Sequence, residues 1–269
     1  MSRIAEVFQN IRATGRKGFV PFVTAGDPDE ETSLSIMLKL ADFGGDVIEI
    51  GVPFSDPMAD GPTIQRSSQR ALAKGVNVGS VLSIAKRFRE KRETPVVLFS
   101  YLNPLLSYGF EKLARDAATS GVDGILITDA IDTEAMEFSS TLRDSGLDLI
   151  SLIAPTTTDE RLESIAKRSS GFLYAVSRAG VTGAADNVSD EAAKLVERAR
   201  RFSDLPIAVG FGISTRQQIL DVWEFADAAV VGSAIVSEVE RSAVGDPATA
   251  TENFIRGLLP QFAKSESEL

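Results

Sequence analysis

Eight short apolar runs, each followed by a loop and a helical pattern, predict an α/β fold, a single (β/α)8 TIM barrel with an extra N-terminal helix. The runs are nearly continuous in Val, Ile, Leu, Phe and Ala, which is typical of parallel strands buried on both faces. No linker or change of composition divides residues 1–269, so we expect one domain. An open, doubly wound sheet is the alternative. The even spacing of the units and the lack of an early glycine-rich fingerprint favour the barrel.

The chain starts with a helical pattern that stands outside the repeating units. Ile4, Val7, Phe8 and Ile11 have the i, i+3, i+4, i+7 spacing of one helix face, and Gly15 marks the end. We therefore expect an amphipathic helix ahead of the first strand.

The strands and helices of the repeating units follow in order. The predicted strands cover residues 19–24, 47–51, 96–101, 124–128, 149–154, 172–176, 207–210 and 228–231. Apolar residues three and four positions apart predict helix faces between them. These faces are formed by Leu34, Met37, Leu38 and Ala41; by Val81, Ile84, Ala85 and Phe88; by Phe110, Leu113, Ala114 and Ala117; and by Leu195, Val196 and Ala199. Thr157 and Glu160 fit a capping box that starts a further helix.

Composition limits the chemistry that this chain can perform. It has 28 Lys and Arg, 38 Asp and Glu, no His and no Cys. The net charge of −10 argues against nucleic acid or a membrane surface as a partner. Without His or Cys we expect no metal site, and we expect acid–base chemistry to use carboxylates, with Lys or Tyr as lesser options. The sequence shows neither a secretory signal nor an apolar run of membrane length, so we expect a cytoplasmic protein.

A carboxylate lies inside the second apolar run. By the two-residue period of a strand, Val47, Glu49 and Gly51 share one face, and Ile48 and Ile50 share the other. If the isoleucines face the helices, Glu49 points into the barrel near the end of the strand where barrel enzymes hold their catalytic residues. The alternative is a structural Glu that pairs with a Lys or Arg.

A long, acidic loop follows this strand at once. Residues 52–62 contain three prolines together with Asp56 and Asp60, which makes the loop stiff and negatively charged. The loop is either a rigid surface loop or a catalytic loop that brings a second carboxylate to Glu49 and docks a protein partner.

Glycines follow each of the last three predicted strands, at 177–183, 210–212 and 232–234. Glycine lets backbone N–H groups approach an anion, and barrels often bind phosphate after strands 7 and 8. We therefore expect a phosphate site there, with residues 177–187 as a lid. Residues near the strand ends are candidates for a flat apolar pocket or, alternatively, for the core: Phe22, Phe99, Tyr101, Ile153, Tyr174 and Phe211.

Five segments resemble the tryptophan synthase alpha subunit, and the similarity extends over nearly the whole chain. They are residues 19–28, 47–65, 174–183, 210–214 and 232–236, of which VIEIGVPFSDPMADGPTIQ is the most specific. The resemblance implies retro-aldol cleavage of indole-3-glycerol phosphate into indole and glyceraldehyde 3-phosphate, with no cofactor in this subunit. It also implies an α2β2 complex in which loop 52–60 faces a beta subunit that carries PLP and takes up the indole.

The resemblance further implies a role for individual residues. Glu49 would be the general acid and base, and Asp60 would accept a hydrogen bond from the indole N–H. Tyr174 would lie close to Glu49, and Thr182 would contact Asp60 from the lid. The indole would lie between Phe22, Phe99 and Phe211, and the phosphate would be held by Gly183, Gly212, Gly232 and Ser233. Asp129 matches the family pattern and would be a substrate-binding residue, although residues 128–132 lack the prolines that usually flank this Asp.

Two other functions are compatible with parts of this pattern. One is a regulatory subunit without its own chemistry, whose loop closure activates the partner. The other is a different phosphate-binding barrel enzyme, such as a sugar-phosphate isomerase. The intact catalytic positions argue against the first, and the 47–65 segment argues against the second.

Overall fold

A computed structural model describes residues 1–130, 132–176, 189–210 and 212–260 of the chain. Its eight strands form a closed parallel barrel in the order β1 to β8, with β8 pairing back onto β1. This confirms the predicted (β/α)8 barrel. Closure removes both sheet edges, so the backbone groups of every strand have partners on two sides.

The bounds of all eight strands agree with the predicted ranges to within one residue at each end. The strands are β1 (Gly18–Thr24), β2 (Ile48–Gly51), β3 (Val96–Ser100), β4 (Gly124–Ile127), β5 (Asp148–Ile153), β6 (Leu173–Val176), β7 (Ile207–Gly210) and β8 (Ala228–Val231). The helices are α1 (Arg3–Ala13), α2 (Glu30–Asp42), α3 (Pro62–Ala73), α4 (Val78–Arg89), α5 (Leu102–Tyr108), α6 (Phe110–Thr119), α7 (Asp132–Asp144), α8 (Asp159–Arg168), α9 (Ser189–Ala199), α10 (Arg216–Phe225), α11 (Ser233–Arg241) and α12 (Pro247–Leu258). Within the described ranges, no helix combines the length and the apolar character needed to cross a membrane.

Helix α1 covers the amino-terminal end of the barrel. Ile4, Phe8 and Ile11 are buried, and the Phe8 ring lies 5.5 Å from the ring of Phe172 at the start of β6. Ser2 caps the helix by accepting a hydrogen bond from the Ala5 N–H, and its hydroxyl donates to Asp148 at 2.6 Å. The predicted N-terminal helix is confirmed. Because it covers this end, the opposite end of the barrel is left for a binding site.

Side chains alternate between two apolar layers along each strand. On β2, Ile48 and Ile50 belong to the layer between the strands and the outer helices. Val47 belongs to the inner layer, together with Val97 and Leu126 from the neighbouring strands. The predicted division of the β2 faces is therefore confirmed, and Glu49 lies on the inner one.

The predicted capping box at Thr157 and Glu160 is wrong by one residue. Thr158 is the N-cap of α8 and accepts a hydrogen bond from the Arg161 N–H. The hydroxyl of Thr157 instead accepts from the Ala154 N–H at 2.9 Å, so it stabilises the turn that ends β5. Adjacent threonines give the same local signal, and only the path of the chain decides which of them caps the helix.

Candidate active site

Glu49 is a fully buried acid without a partner among the described residues. Its exposed fraction is 1%, and neither carboxyl oxygen has a hydrogen-bond partner there. Desolvation disfavours the charged form and raises the pKa of Glu49 to about 8. Among the described residues Glu49 forms no ion pair with Lys or Arg, which argues against the structural alternative. At neutral pH this side chain carries a proton that it can donate.

Tyr174 lies in the inner layer of the barrel, close to both carboxylates. Its exposed fraction is 5%. Burial raises the pKa of Tyr174 well above its usual value, and the charges of Glu49 and Asp60 raise it further. A Cβ atom at Gly210 would lie 2.1 Å from the Tyr174 hydroxyl, so only glycine on β7 leaves room for this side chain. Gly210 belongs to the segment 210–212 that the sequence pattern predicts as part of an anion site, and the space at its Cα is occupied by Tyr174.

Asp60 is brought to the barrel mouth by the loop between β2 and α3. Its backbone N–H donates to the Pro57 carbonyl at 3.0 Å, and its own carbonyl accepts from Gln65 Nε2 at 2.8 Å. Helix α3 begins two residues later, with Pro62 in its first turn. Burial raises the pKa of Asp60 to about 6, while hydrogen bonding with Tyr101 opposes the rise. The two acids therefore differ in protonation at neutral pH.

Phe22 and Phe99 flank Glu49 from the neighbouring strands. Phe22 pairs with Glu49 in the register of β1 and β2, and Phe99 pairs with Gly51 in that of β2 and β3. The two rings are 5.3 Å apart at 76°, an edge-to-face arrangement. Phe99 is only partly buried, so part of its ring remains open to a ligand. This wall of the pocket suits a flat apolar group.

Gly51 makes room for the Phe22 ring, which leads to a first prediction. A Cβ atom there would lie 2.5 Å from Phe22 Cζ, closer than real contacts allow. We expect Gly51→Ala to displace the ring and to lower the free energy of unfolding by about 1–3 kcal/mol in urea denaturation. The matched control is Gly61→Ala, where a Cβ atom meets nothing within 4 Å. Equal losses in the two variants would contradict this interpretation of Gly51.

The carboxyl end of β8 forms an opening suited to an anion. Gly232 is the N-cap of α11 and no side chain caps that helix. The Val236 N–H already bonds to the Gly232 carbonyl, which leaves the N–H groups of residues 233–235 without an intrahelical acceptor. Ser233 is exposed at the same point, and Gly212 lies after β7 with φ 80° and open space around it. Free N–H groups and the helix dipole both favour a bound oxyanion.

Three predicted site residues lie outside the described residues: Thr182, Gly183 and Phe211. The same is true of the proposed lid at 177–187. Their roles stay predictions.

Two further candidates have surroundings that differ from our expectation. Asp129 is exposed and accepts a hydrogen bond from the Leu102 N–H at 2.7 Å, so it supports the start of α5. Ile153 is 1% exposed and belongs to the outer layer. The two-residue period places Leu152 on the inner face instead. A role for Ile153 in the pocket stays a prediction.

Sequence reasoning also overlooked a contact inside the acidic loop. The Phe54 ring lies 5.3 Å from the ring of Tyr101. An aromatic residue within a loop that also carries two Asp residues was the available signal. Across the described ranges, no group of three or more Asp or Glu side chains is arranged to hold a metal ion.

The comparisons with known proteins agree with this geometry. A family model described as tryptophan synthase alpha chain matches residues 8–259. The tryptophan synthase alpha chain of Polynucleobacter asymbioticus is 46% identical over 257 residues, which cover 95% of this chain and 97% of the relative. That of Citrifermentans bemidjiense is 49% identical over 241 residues, 90% of each chain.

Solved structures give the same result. The crystal structure of tryptophan synthase subunit alpha from Legionella pneumophila has a TM-score of 0.88 at 36% identity and covers 96% of this chain and 97% of that one. Tryptophan synthase from M. tuberculosis in its aminoacrylate-bound form has a TM-score of 0.86 at 34% identity, with 96% and 98% covered.

Proposed function

The chain belongs to the tryptophan synthase alpha chain family and is a lyase of tryptophan biosynthesis, and from this premise we propose the reaction and the residues that perform it. The substrate is indole-3-glycerol phosphate, and the products are indole and glyceraldehyde 3-phosphate. The observation that carries the proposal is the pair of carboxyl groups near Tyr174, with a pKa of about 8 for Glu49 and about 6 for Asp60. Environments that separate two pKa values in this way allow one acid to donate while the other stays ionised.

Glu49 moves the protons of the reaction. Its neutral carboxyl donates a proton to C3 of the indole, which makes the ring a good leaving group. The bond from C3 to the glycerol chain then breaks, and the hydroxyl on the released carbon becomes the aldehyde carbonyl. Glu49, now a carboxylate, accepts the proton of that hydroxyl. One proton is therefore transferred from the hydroxyl to the ring, and Glu49 returns to its starting state.

Asp60 stabilises the charge that this proton transfer creates. Protonation at C3 places positive charge on the ring and its nitrogen. An ionised carboxylate that accepts a hydrogen bond from the ring N–H lowers the energy of this state more than that of the neutral substrate. The flanking rings of Phe22 and Phe99 favour a flat heterocycle between them.

The phosphate of the substrate is held at the opening between β7 and β8. Gly212, Gly232 and Ser233 supply backbone N–H groups and a hydroxyl without adding a cation. This suits a chain with a net charge of −10, because the attraction is local and comes from oriented dipoles.

The partner is a tryptophan synthase beta subunit that carries PLP, in an α2β2 complex in the cytoplasm. Loop 52–60 is the surface that we assign to it. Ser55, Asp56 and Ala59 are exposed, and Met58 is 88% exposed at the tip of the loop. An apolar side chain that projects from the loop bearing Asp60 is suited to couple partner docking to the active site.

The function is tested by supplying the purified chain with indole-3-glycerol phosphate and measuring indole, with and without a beta subunit. We expect slow release from the chain alone and faster turnover with the partner. The absence of indole under both conditions would overturn the proposed reaction. Stimulation of the partner without any indole release would instead indicate the regulatory alternative.

A further inference from the structure

The Tyr101 side chain fastens the loop that carries Asp60. It follows β3, is 6% exposed, and its hydroxyl oxygen accepts a hydrogen bond from the Ala59 N–H at 2.9 Å. Its ring packs against Phe54 with the centroids 5.3 Å apart. Tyr101 thus contacts the loop near its start and next to Asp60 itself.

The direction of the hydrogen bonds around Tyr101 follows from its single proton. Because the oxygen accepts from the Ala59 N–H, the hydroxyl proton is available to the neighbouring Asp60 carboxylate, whose pKa the Tyr101 hydroxyl lowers. Burial and the charge of Asp60 raise the pKa of Tyr101, so the phenol keeps this proton. A hydrogen bond donated to a carboxylate favours its ionised form.

The other titratable groups near this pair do not have the same effect. Glu49 on β2 and Asp129 after β4 are acids, and Tyr174 on β6 is a buried phenol. In the part of the chain that the structure describes, neither Asp60 nor Tyr101 has an ion pair with Lys or Arg, and Tyr101 is the group that opposes the effect of burial on Asp60.

We propose that Tyr101 is a positioning residue, which fixes loop 52–60 through the Ala59 N–H and donates its hydroxyl proton to Asp60 so that this carboxylate stays ionised at the pocket. The sequence pattern alone predicts Tyr101 only as part of the pocket wall or of the core. The catalytic role of Tyr101 rests on the proposed function. Its effect on the protonation of Asp60 can be measured without substrate.

The test is a carbon-13 NMR titration of the Asp60 carboxyl group in Tyr101→Phe, assigned with Asp60→Asn. We expect the Asp60 pKa to rise by about one unit, as for the loss of one hydrogen bond to a charged group. The acid limb of kcat/KM should shift to higher pH by the same amount, which makes the variant about tenfold slower at the acid end and nearly normal at its optimum.

The matched control is Tyr108→Phe. The Tyr108 hydroxyl also donates to a carboxylate, that of Asp116 at 2.7 Å, but this pair lies on the outer helices. It should leave both readouts unchanged. An unchanged Asp60 pKa in folded Tyr101→Phe would overturn the inference, as would an activity loss that is equal at every pH. If Tyr101→Phe does not fold, 3-fluorotyrosine at this position keeps the shape. Its more acidic phenol should lower the Asp60 pKa. An unchanged Asp60 pKa in this variant would also overturn the inference.

The two proposals fail in different ways. If the wild-type protein releases no indole but Tyr101→Phe still raises the Asp60 pKa, the proposed reaction is wrong and the role of Tyr101 in setting Asp60 stands.

Discussion

Glu49→Gln is expected to abolish indole release and to stabilise the fold at neutral pH. The substitution keeps the shape of the side chain but removes the proton that Glu49 transfers, and the loss of a general acid and base costs roughly 10²–10⁴-fold in rate. The fold gains because a buried carboxyl without a partner resists ionisation. The buried acid that the reaction requires therefore lowers the free energy of unfolding at neutral pH. Replacing it with Gln is expected to raise that free energy.

The pH dependence of that stabilisation has a defined sign. Glu49 has a pKa of about 8 in the folded chain against an ordinary value of 4.5. Below pH 4.5 both the folded and the unfolded chain bind the proton, so wild type and variant should differ little. Above it only the folded chain retains the proton, and the wild type loses about 1.4 kcal/mol per pH unit relative to the variant. The difference should reach roughly 3–5 kcal/mol near the folded pKa.

Urea denaturation of both proteins across this pH range measures the effect. Glu6→Gln, an exposed position on α1 at the other end of the barrel, is the control and should show no such difference. Indole release by Glu49→Gln at close to the wild-type rate would contradict the assigned role. A constant stability difference at all pH values would contradict the neutral, buried state of Glu49.

Asp60→Asn is expected to lower kcat roughly 10²–10³-fold with little change in KM. The amide oxygen can still accept a hydrogen bond from the ring N–H, so ground-state binding is retained. It carries no charge, however, and the stabilisation of the positively charged ring is lost in the transition state. The variant should also lose the acid limb near pH 6, because that limb reports the ionisation of Asp60.

Steady-state kinetics across the pH range provide the measurement for this second variant. Asp221→Asn on the outer helix α10 changes the same chemical group far from the pocket and should behave like the wild type. An increase in KM with an unchanged kcat would show that Asp60 binds the substrate without acting in the transition state. An acid limb that persists near pH 6 in Asp60→Asn would assign that limb to another group.

The position of Glu49 could be predicted because it follows from local rules. A strand in a parallel barrel is buried on both faces, and the two-residue period then assigns Glu49 and Ile50 to opposite layers. The N-terminal helix could be predicted equally well, because the spacing of Ile4, Phe8 and Ile11 defines its buried face. Burial in turn predicts the direction of the Glu49 pKa before any coordinates are known.

Other features depend on contacts between distant parts of the chain. The Tyr174 side chain requires Gly210 on the next strand, and Phe22 requires Gly51, but a glycine in a sequence does not reveal which side chain occupies its space. The hydrogen bond between Tyr101 and Ala59 joins residues 42 positions apart. The apolar character of Ile153 suits either layer, and only the register of β5 places it in the outer one.

The most direct test of the central claim is a crystal structure with a substrate analogue that lacks the reacting hydroxyl and therefore cannot be cleaved. We predict that an Asp60 oxygen lies about 3 Å from the ring nitrogen and that Glu49 faces C3 and the side-chain carbon bonded to it. The phosphate should lie against the first turn of α11, at Gly232 and Ser233. An analogue whose ring contacts only one of the two acids, or whose phosphate binds away from α11, would contradict the account.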